Sequence, residues 1–198
     1  EYLKRFGLGS KTGIDLHGEL SPSLRKLSDW SEVDLVTSSF GQGIAITPVQ
    51  MISAVNAIAN GGMYVRPRVV DKIIVGGKEY DSDPPEKGTR IISEKASNEV
   101  KMMMVEAAKS GESKWTYKKG FGVAGKTGTA QIPIEGHYDE EKTIASFVGF
   151  APYNDPKFVM LVTLREPKSS IWASETAAPL WYKVAQRLFL HFGIVPEK

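Results

Sequence analysis

The chain contains no cysteine. Disulfide frameworks and thiolate metal sites are therefore excluded, an absence that suits an extracytoplasmic bacterial protein. It also lacks any apolar run near the roughly 18 residues that a bilayer span requires, and it opens without a signal-peptide pattern. An anchor or export signal of a longer parent is expected upstream of Glu1. There is no excess of one charge. Twenty-five Lys and Arg stand against 23 Asp and Glu, a net charge of +2. Nucleic acid is therefore not expected as a partner, and an acidic membrane surface has no electrostatic claim on the chain. Histidine is scarce: His17, His137 and His191 lie far apart without metal-ligand spacing and read as surface or loop positions. No metal and no cofactor is expected. Internal repeats and low-complexity tracts are also missing.

What is present is enough for a core. Apolar residues make up 41% of 198 positions, which fits one ordinary domain or a large piece of one. EYLKRFGLG reads as the last turns of a helix, with Tyr2, Leu3 and Phe6 on one face and Gly7 or Gly9 as the stop. TPVQMISAVNAIANGG is the clearest helix: Thr47 is the N-cap, Pro48 the first helical residue, and Gly61-Gly62 the end. YVRPRVVDKIIV reads as extended chain, and GGKEYDSDPPEKG as turns and surface loop. Ser93 caps a second helix to about Ser110, with Val100, Met103, Met104 and Ala107 at helical spacing and the methionines as core filling. After Gly120 strands follow over residues 122–132, 144–153 and 157–166, the last two joined by a turn at Tyr153-Asn154-Asp155-Pro156. Asp139-Glu140-Glu141 reads as a solvated loop between strands. Residues 174–192 close the chain as a helix with Ala178, Trp181, Ala185, Leu188 and Phe189 inward. Helices, a strand meander and a final helix predict an α+β domain, its sheet mostly antiparallel and flanked by helices.

The stretch GFGVAGKTGTAQ carries the chemistry. Residues 120–127 match the phosphate-binding pattern G-x-x-x-x-G-K-[ST] without a mismatch. The context opposes it. KSGESKWTYKK cannot be the buried strand that must precede such a loop, and GTAQIPIEG cannot be the helix that must follow. VMLVTL runs into Arg165-Glu166, not into a magnesium-holding aspartate. Read as a strand, the stretch makes Thr127 and Thr129 project together and Lys126 oppositely, or toward a second wall. Gly125 and Gly128 remove side chains where another backbone comes close, or they mark a bulge. An extended peptide could add alongside, its carboxylate meeting threonine hydroxyls and a nearby cation.

K-T-G is also a signature of penicillin-binding proteins and serine β-lactamases. The chain resembles the monofunctional, class B penicillin-binding proteins over nearly its whole length: FGLGSKTGIDLHGE, SSFGQGIAITPVQMISAVNAIANGGMYVRP, VAGKTGTAQ and SFVGFAPYNDPKFVMLVTL stand in that family's order. SFGQG with TPVQM is more specific than K-T-G. The resemblance implies a β-lactamase/transpeptidase-like fold and D,D-transpeptidation. In that reaction a serine attacks the D-Ala-D-Ala bond of a peptidoglycan stem peptide, releases D-Ala, and passes the acyl group to a neighbouring amine. β-Lactams acylate the same serine. Lys126 would hydrogen-bond the serine of an S-x-N signature and hold a buried positive potential near the substrate carboxylate. Thr127 and Thr129 would bind that carboxylate, with Gly128 between them, and the Thr129 N–H would be an oxyanion donor. Gln42 of SFGQG would lie near the cleft, or serve its loop structurally.

The family's nucleophile motif S-x-x-K and its S-x-N both precede FGLGSKTGIDL, and no S-x-N occurs in this chain. The one S-x-x-K, Ser23-Leu24-Arg25-Lys26, follows the first family match and has the flanks of an exposed turn. It is read as chance. Lys11-Thr12-Gly13 is read as a structural loop. The expectation is thus the C-terminal portion of a single transpeptidase domain, 1–198, with the upstream portion absent. Such a chain is expected to expose an apolar face and to be ordered only with a complementary upstream segment of the same domain, or as a swapped dimer. Its parent would be membrane-anchored at the extracytoplasmic face, within a cell-wall synthesis complex. A penicillin-sensing receptor domain and a non-catalytic scaffold are the readings from other classes.

Overall fold

The computed structural model describes residues 1–20, 22–81, 86–134 and 137–196. The elements in chain order are α1 (Tyr2–Arg5), α2 (Glu32–Ser39), α3 (Pro48–Ala59), β1 (Met63–Tyr64), β2 (Lys72–Val75), β3 (Lys78–Asp81), β4 (Thr89–Arg90), α4 (Glu94–Ser110), β5 (Ala124–Ile134), β6 (His137–Ala151), β7 (Phe158–Arg165) and α5 (Ala177–His191). Local chemistry sets the helix starts. The Thr47 hydroxyl accepts from the Gln50 N–H while the Gln50 side chain accepts from the Thr47 N–H, a reciprocal cap that Pro48 reinforces. Ser93 caps α4 through the Ala96 N–H.

Strands β5, β6 and β7 form an antiparallel sheet in sequence order. Both faces are covered. On one face α5 lays Trp181, Tyr182, Ala185 and Phe189 against Val123, Ala145 and Phe147. On the other, Val55 and Ala59 of α3 and Val105 of α4 meet Ala124 and Phe150. Alternation along β5 and β6 divides the side chains between these two cores. The Trp181 Nε1–H donates to the Met160 carbonyl at 2.9 Å, so the largest buried ring leaves no polar atom unpaired.

Several expectations need correction. GGKEYDSDPPEKG is not all loop. Gly76 and Gly77 take φ of 59° and 78°, the two positive values of a type I′ turn, and fold β3 back on β2. Residues 82–85 of that stretch lie outside the described residues. The acidic run 139–141 lies within β6, not in a loop between strands. Pairing steps from Gln131↔Thr143 to Pro133↔Tyr138, so the run bulges out of the ladder between two paired stretches. The Asp139 carboxylate there accepts the Glu141 and Lys142 N–H groups. On α4 the methionine cluster is not core as a whole. Met104 packs inward, but Met102 and Met103 are exposed, because the buried face runs through Ser97, Lys101, Val105 and Ala108. The Ser97 hydroxyl makes this possible by donating to the Ile58 carbonyl of α3 at 2.7 Å.

Helix α2 was not expected from the sequence. Its signal was the Ser31-x-x-Asp34 box, in which the Ser31 hydroxyl and the Asp34 carboxylate cap each other's backbone N–H. None of its residues is buried, and Val33, Leu35, Val36 and Phe40 lie 60–68% exposed.

Candidate active site

Lys126, Thr127, Gly128 and Thr129 are consecutive on β5, which pairs with β6 on one side as the edge of its sheet. The expected alternation holds. Thr127 and Thr129 stand opposite Phe147 and Ala145, on the face that α5 covers, whereas Lys126 and Gly128 stand opposite Val148 and Ser146 on the other face. Lys126 is exposed on this chain, not buried. Its Nζ folds back on its own strand and donates to the Thr127 carbonyl at 3.0 Å and the Thr127 hydroxyl at 3.3 Å. The amine thus already lies beside one of the two threonine hydroxyls assigned to a carboxylate.

The two strand glycines differ. A β-carbon on Gly125 would meet the ring of Phe147, so the close neighbour there is chiefly a side chain of the paired strand, not an approaching backbone. A β-carbon on Gly128 would find nothing within 4 Å. Neither marks the bulge, which falls later, between Gln131 and Pro133.

Gln42 sits in the turn that ends α2, between Gly41 and Gly43, and its N–H donates to the Thr37 carbonyl at 3.0 Å. That bond is local, and β5 takes its packing from β6 and α4. The structure thus assembles the four β5 residues by sequence and leaves Gln42 on a separate element.

Sequence reasoning missed a segment that touches this strand. Residues 171–173, between β7 and α5, cross its inner face. The Ala173 N–H donates to the Thr129 hydroxyl oxygen at 3.0 Å, and the hydroxyl of Thr143, on β6, donates to the Ile171 carbonyl at 2.8 Å. No local pattern announces these bonds, because 44 and 28 residues separate the partners.

The decoys are placed as expected. Ser23 and Lys26 are exposed and outside any helix, so the amine has no helical turn to carry it to the hydroxyl. Lys11-Thr12-Gly13 is a loop built around Glu19. That carboxylate accepts the Thr12 hydroxyl and the Thr12 and Gly13 N–H groups, and the Thr12 hydroxyl above all holds it below its ordinary pKa. His17 and His191 are exposed; the side chain of His137 lies outside the described residues.

Comparison with known proteins agrees with this architecture. The family description "Penicillin binding protein transpeptidase domain" matches residues 1–186. Stage V sporulation protein D of Bacillus subtilis is 36% identical over 100% of this chain, which covers 31% of that protein. Peptidoglycan D,D-transpeptidase FtsI of Escherichia coli is 31% identical over 98% of this chain and 32% of its own length. The chain therefore spans about a third of the curated relatives it matches. The apo crystal structure of penicillin binding protein 3 from Mycobacterium tuberculosis superposes with a TM-score of 0.89 at 28% identity, covering 100% of this chain and 47% of that one. The same protein has been seen complexed with aztreonam and with ampicillin. The motifs, the helix-flanked antiparallel sheet and these relatives agree: the chain belongs to the transpeptidase domain family of class B penicillin-binding proteins, and its fold is the β-lactamase/transpeptidase fold.

Proposed function

We propose that this chain supplies the K-T-G wall of a peptidoglycan D,D-transpeptidase that β-lactams inhibit, and that the nucleophile comes from an upstream segment of the same domain. The observation that carries the reading is the placement of Lys126, Thr127, Gly128 and Thr129 on a sheet-edge strand, in a family whose members are named for this reaction. An extended stem peptide adds along the free edge of β5, its main chain continuing the ladder. Its terminal carboxylate is received by the Thr127 and Thr129 hydroxyls in the field of the Lys126 ammonium. The serine of the S-x-x-K segment attacks the penultimate D-Ala carbonyl. The carbonyl oxygen takes up negative charge and the Thr129 N–H stabilises it, a donor of this kind contributing about 3 kcal/mol. The C–N bond then breaks, D-Ala leaves with the transferred proton, and a neighbouring amine accepts the acyl group and frees the serine. Lys126 also orients the S-x-N serine, so that proton movement and carboxylate binding share one cation. Gly128 keeps the wall free of a side chain, and Gln42 approaches the cleft from the SFGQG turn. The parent is membrane-anchored, with this domain on the extracytoplasmic side, and works with other wall-synthesis proteins. Among the described residues no helix is long and apolar enough to cross a membrane.

The test is intact-mass analysis after fluorescent penicillin treatment. Acyl transfer needs an activated nucleophile, and Lys126, Thr127 and Thr129 do not replace one. Ser23 and Lys26 are exposed and outside any helix, so no helical turn brings the amine to the hydroxyl as its base. The 198-residue chain is expected to form no adduct. Mixing it with a chain that carries S-x-x-K and S-x-N is expected to restore labelling, on that second chain. A penicilloyl group on Ser23 would overturn the assignment, and failure of every such pairing would leave a scaffold.

A further inference from the structure

Residues 171–173, between β7 and α5, are tied down on five backbone polar groups. The Ile171 carbonyl accepts the Thr143 hydroxyl at 2.8 Å. The Trp172 N–H donates to the Ser170 hydroxyl at 3.1 Å, and its carbonyl accepts the Thr176 hydroxyl at 2.7 Å and the Glu175 N–H at 3.1 Å. The Ala173 carbonyl accepts the Ala178 N–H at 2.9 Å, and its N–H ends on Thr129 Oγ1 at 3.0 Å. Ser170, Glu175, Thr176 and Ala178 lie on the segment itself or at the start of α5. Among the described residues, Thr143 and Thr129 are the sheet side chains that fasten it. Thr143 is 1% exposed. On the sheet it stands opposite Gln131, two residues along from the Thr129↔Ala145 pair and on the same face.

The direction of the last bond matters. A threonine hydroxyl has one proton and two lone pairs. Where Oγ1 accepts from Ala173, that lone pair is occupied and the hydroxyl proton is left to donate elsewhere. A carboxylate offers only acceptors, so Thr129 can bind one only while its own proton faces outward. Without the Ala173 N–H, the hydroxyl is free to turn and donate to a main-chain carbonyl instead.

We propose that Thr143 is a positioning residue: by holding the Ile171 carbonyl it keeps the Ala173 N–H on Thr129 Oγ1, and so fixes Thr129 as a hydrogen-bond donor to the substrate carboxylate. The inference rests on the reading of Thr129 as a carboxylate-binding residue. It adds a buried side chain on β6 and the backbone N–H of Ala173 to the determinants of carboxylate recognition.

The experiment compares benzylpenicillin with its methyl ester, in the full-length protein that carries the nucleophile. Second-order acylation rates are read for Thr143→Val, Thr143→Ser and Thr129→Val. Thr143→Val is expected to lower the rate with the free acid about tenfold, the size of one weakened hydrogen bond to a charged group. The ester rate should stay as it is, and Thr143→Ser should restore the acid rate. Equal losses on acid and ester would mean a merely structural role and overturn the proposal, as would no loss on either. Thr129→Val separates the two levels. If it narrows the acid-to-ester ratio and Thr143→Val does not, the positioning role fails and the carboxylate reading stands. If Thr129→Val leaves that ratio unchanged, the carboxylate reading itself fails and the proposal falls with it. Should Thr143→Val lose its fold, Thr143→Cys, which keeps the size and has only a weak donor, carries the same comparison.

Discussion

The ring of Phe147 fills the space that a side chain on Gly125 would need: a β-carbon at Gly125 would lie 2.5 Å from Phe147 Cζ and 2.7 Å from Cε1. Phe147 cannot easily yield. It is fully buried, and its ring lies 5.1 Å from that of Trp181. Gly125→Ala is therefore expected to cost about 1–3 kcal/mol through overpacking. A urea unfolding midpoint reads this directly. Gly128→Ala, with open space around the position, should leave the midpoint where it is. Equal losses at the two glycines would contradict the packing described.

Lys126 offers the complementary case. Among the described residues its amine bonds to Thr127 next to it, and the side chain is exposed, so Lys126→Ala should leave the thermal midpoint unchanged. In the full-length protein the same substitution should slow penicillin acylation about a hundredfold or more. An unaltered acylation rate would remove Lys126 from the site.

Gln50 explains why T-P-V-Q is more than a helix start. Its side-chain oxygen accepts the Thr47 N–H at 2.9 Å, and its side-chain amide donates to the Ser10 carbonyl at 2.7 Å. The residue is fully buried and so fastens the loop near residue 10 to the first turn of α3. Gln50→Leu leaves both backbone groups unpaired and should cost about 2 kcal/mol. Thr47→Ala, which loses the cap alone, should cost about 1 kcal/mol. Denaturant midpoints that rank these two the other way would show that the link to Ser10 contributes little.

Asp34 carries an acid dependence. The Ser31 N–H and hydroxyl each donate to its Oδ2 at 2.8 Å, and the Arg25 guanidinium pairs with Oδ1. The Ser31 N–H first, then Arg25, pull the carboxyl down from 3.8 to about 2. A folded pKa below the unfolded one stabilises at pH above the unfolded value, and that help is lost as the pH falls through the folded value. The α2 cap should therefore hold at pH 5 and release at about pH 2. Carboxyl NMR of Asp34 should titrate near 2, and Asp34→Asn should abolish the acid-induced shift of the α2 amides. A midpoint near 3.8 would mean that the cap does not form in solution.

What could be read in advance divides by the distance over which each signal acts. Thr47, Pro48 and Ser93 act within four residues, and the helices they start were legible. K-T-G-T is a contiguous pattern, so four candidate site residues could be placed on one strand together with their alternation. The inner face of α4 could not be found this way. It runs through Ser97 and Lys101, so the hydrophobic period pointed toward Met103, which is exposed. The bulge at 139–142 was hidden because only the partner strand decides where pairing resumes. The bond from Thr143 to the Ile171 carbonyl was invisible for the same reason: its partner lies beyond an entire strand.

Helix α2 has a further consequence. With no buried residue, its opening surrenders little apolar contact and need not disturb the sheet. Amide hydrogens from residue 32 to the Gln42 turn should exchange through local opening, and those of β5 chiefly through global unfolding. The proposed site thus straddles two regimes of protection, with Gln42 in the first and Lys126 to Thr129 in the second. A ligand gripping both walls would slow exchange around Gln42 and leave β5 at its global limit. Occupancy would then be written most plainly on the wall that contributes least to the core.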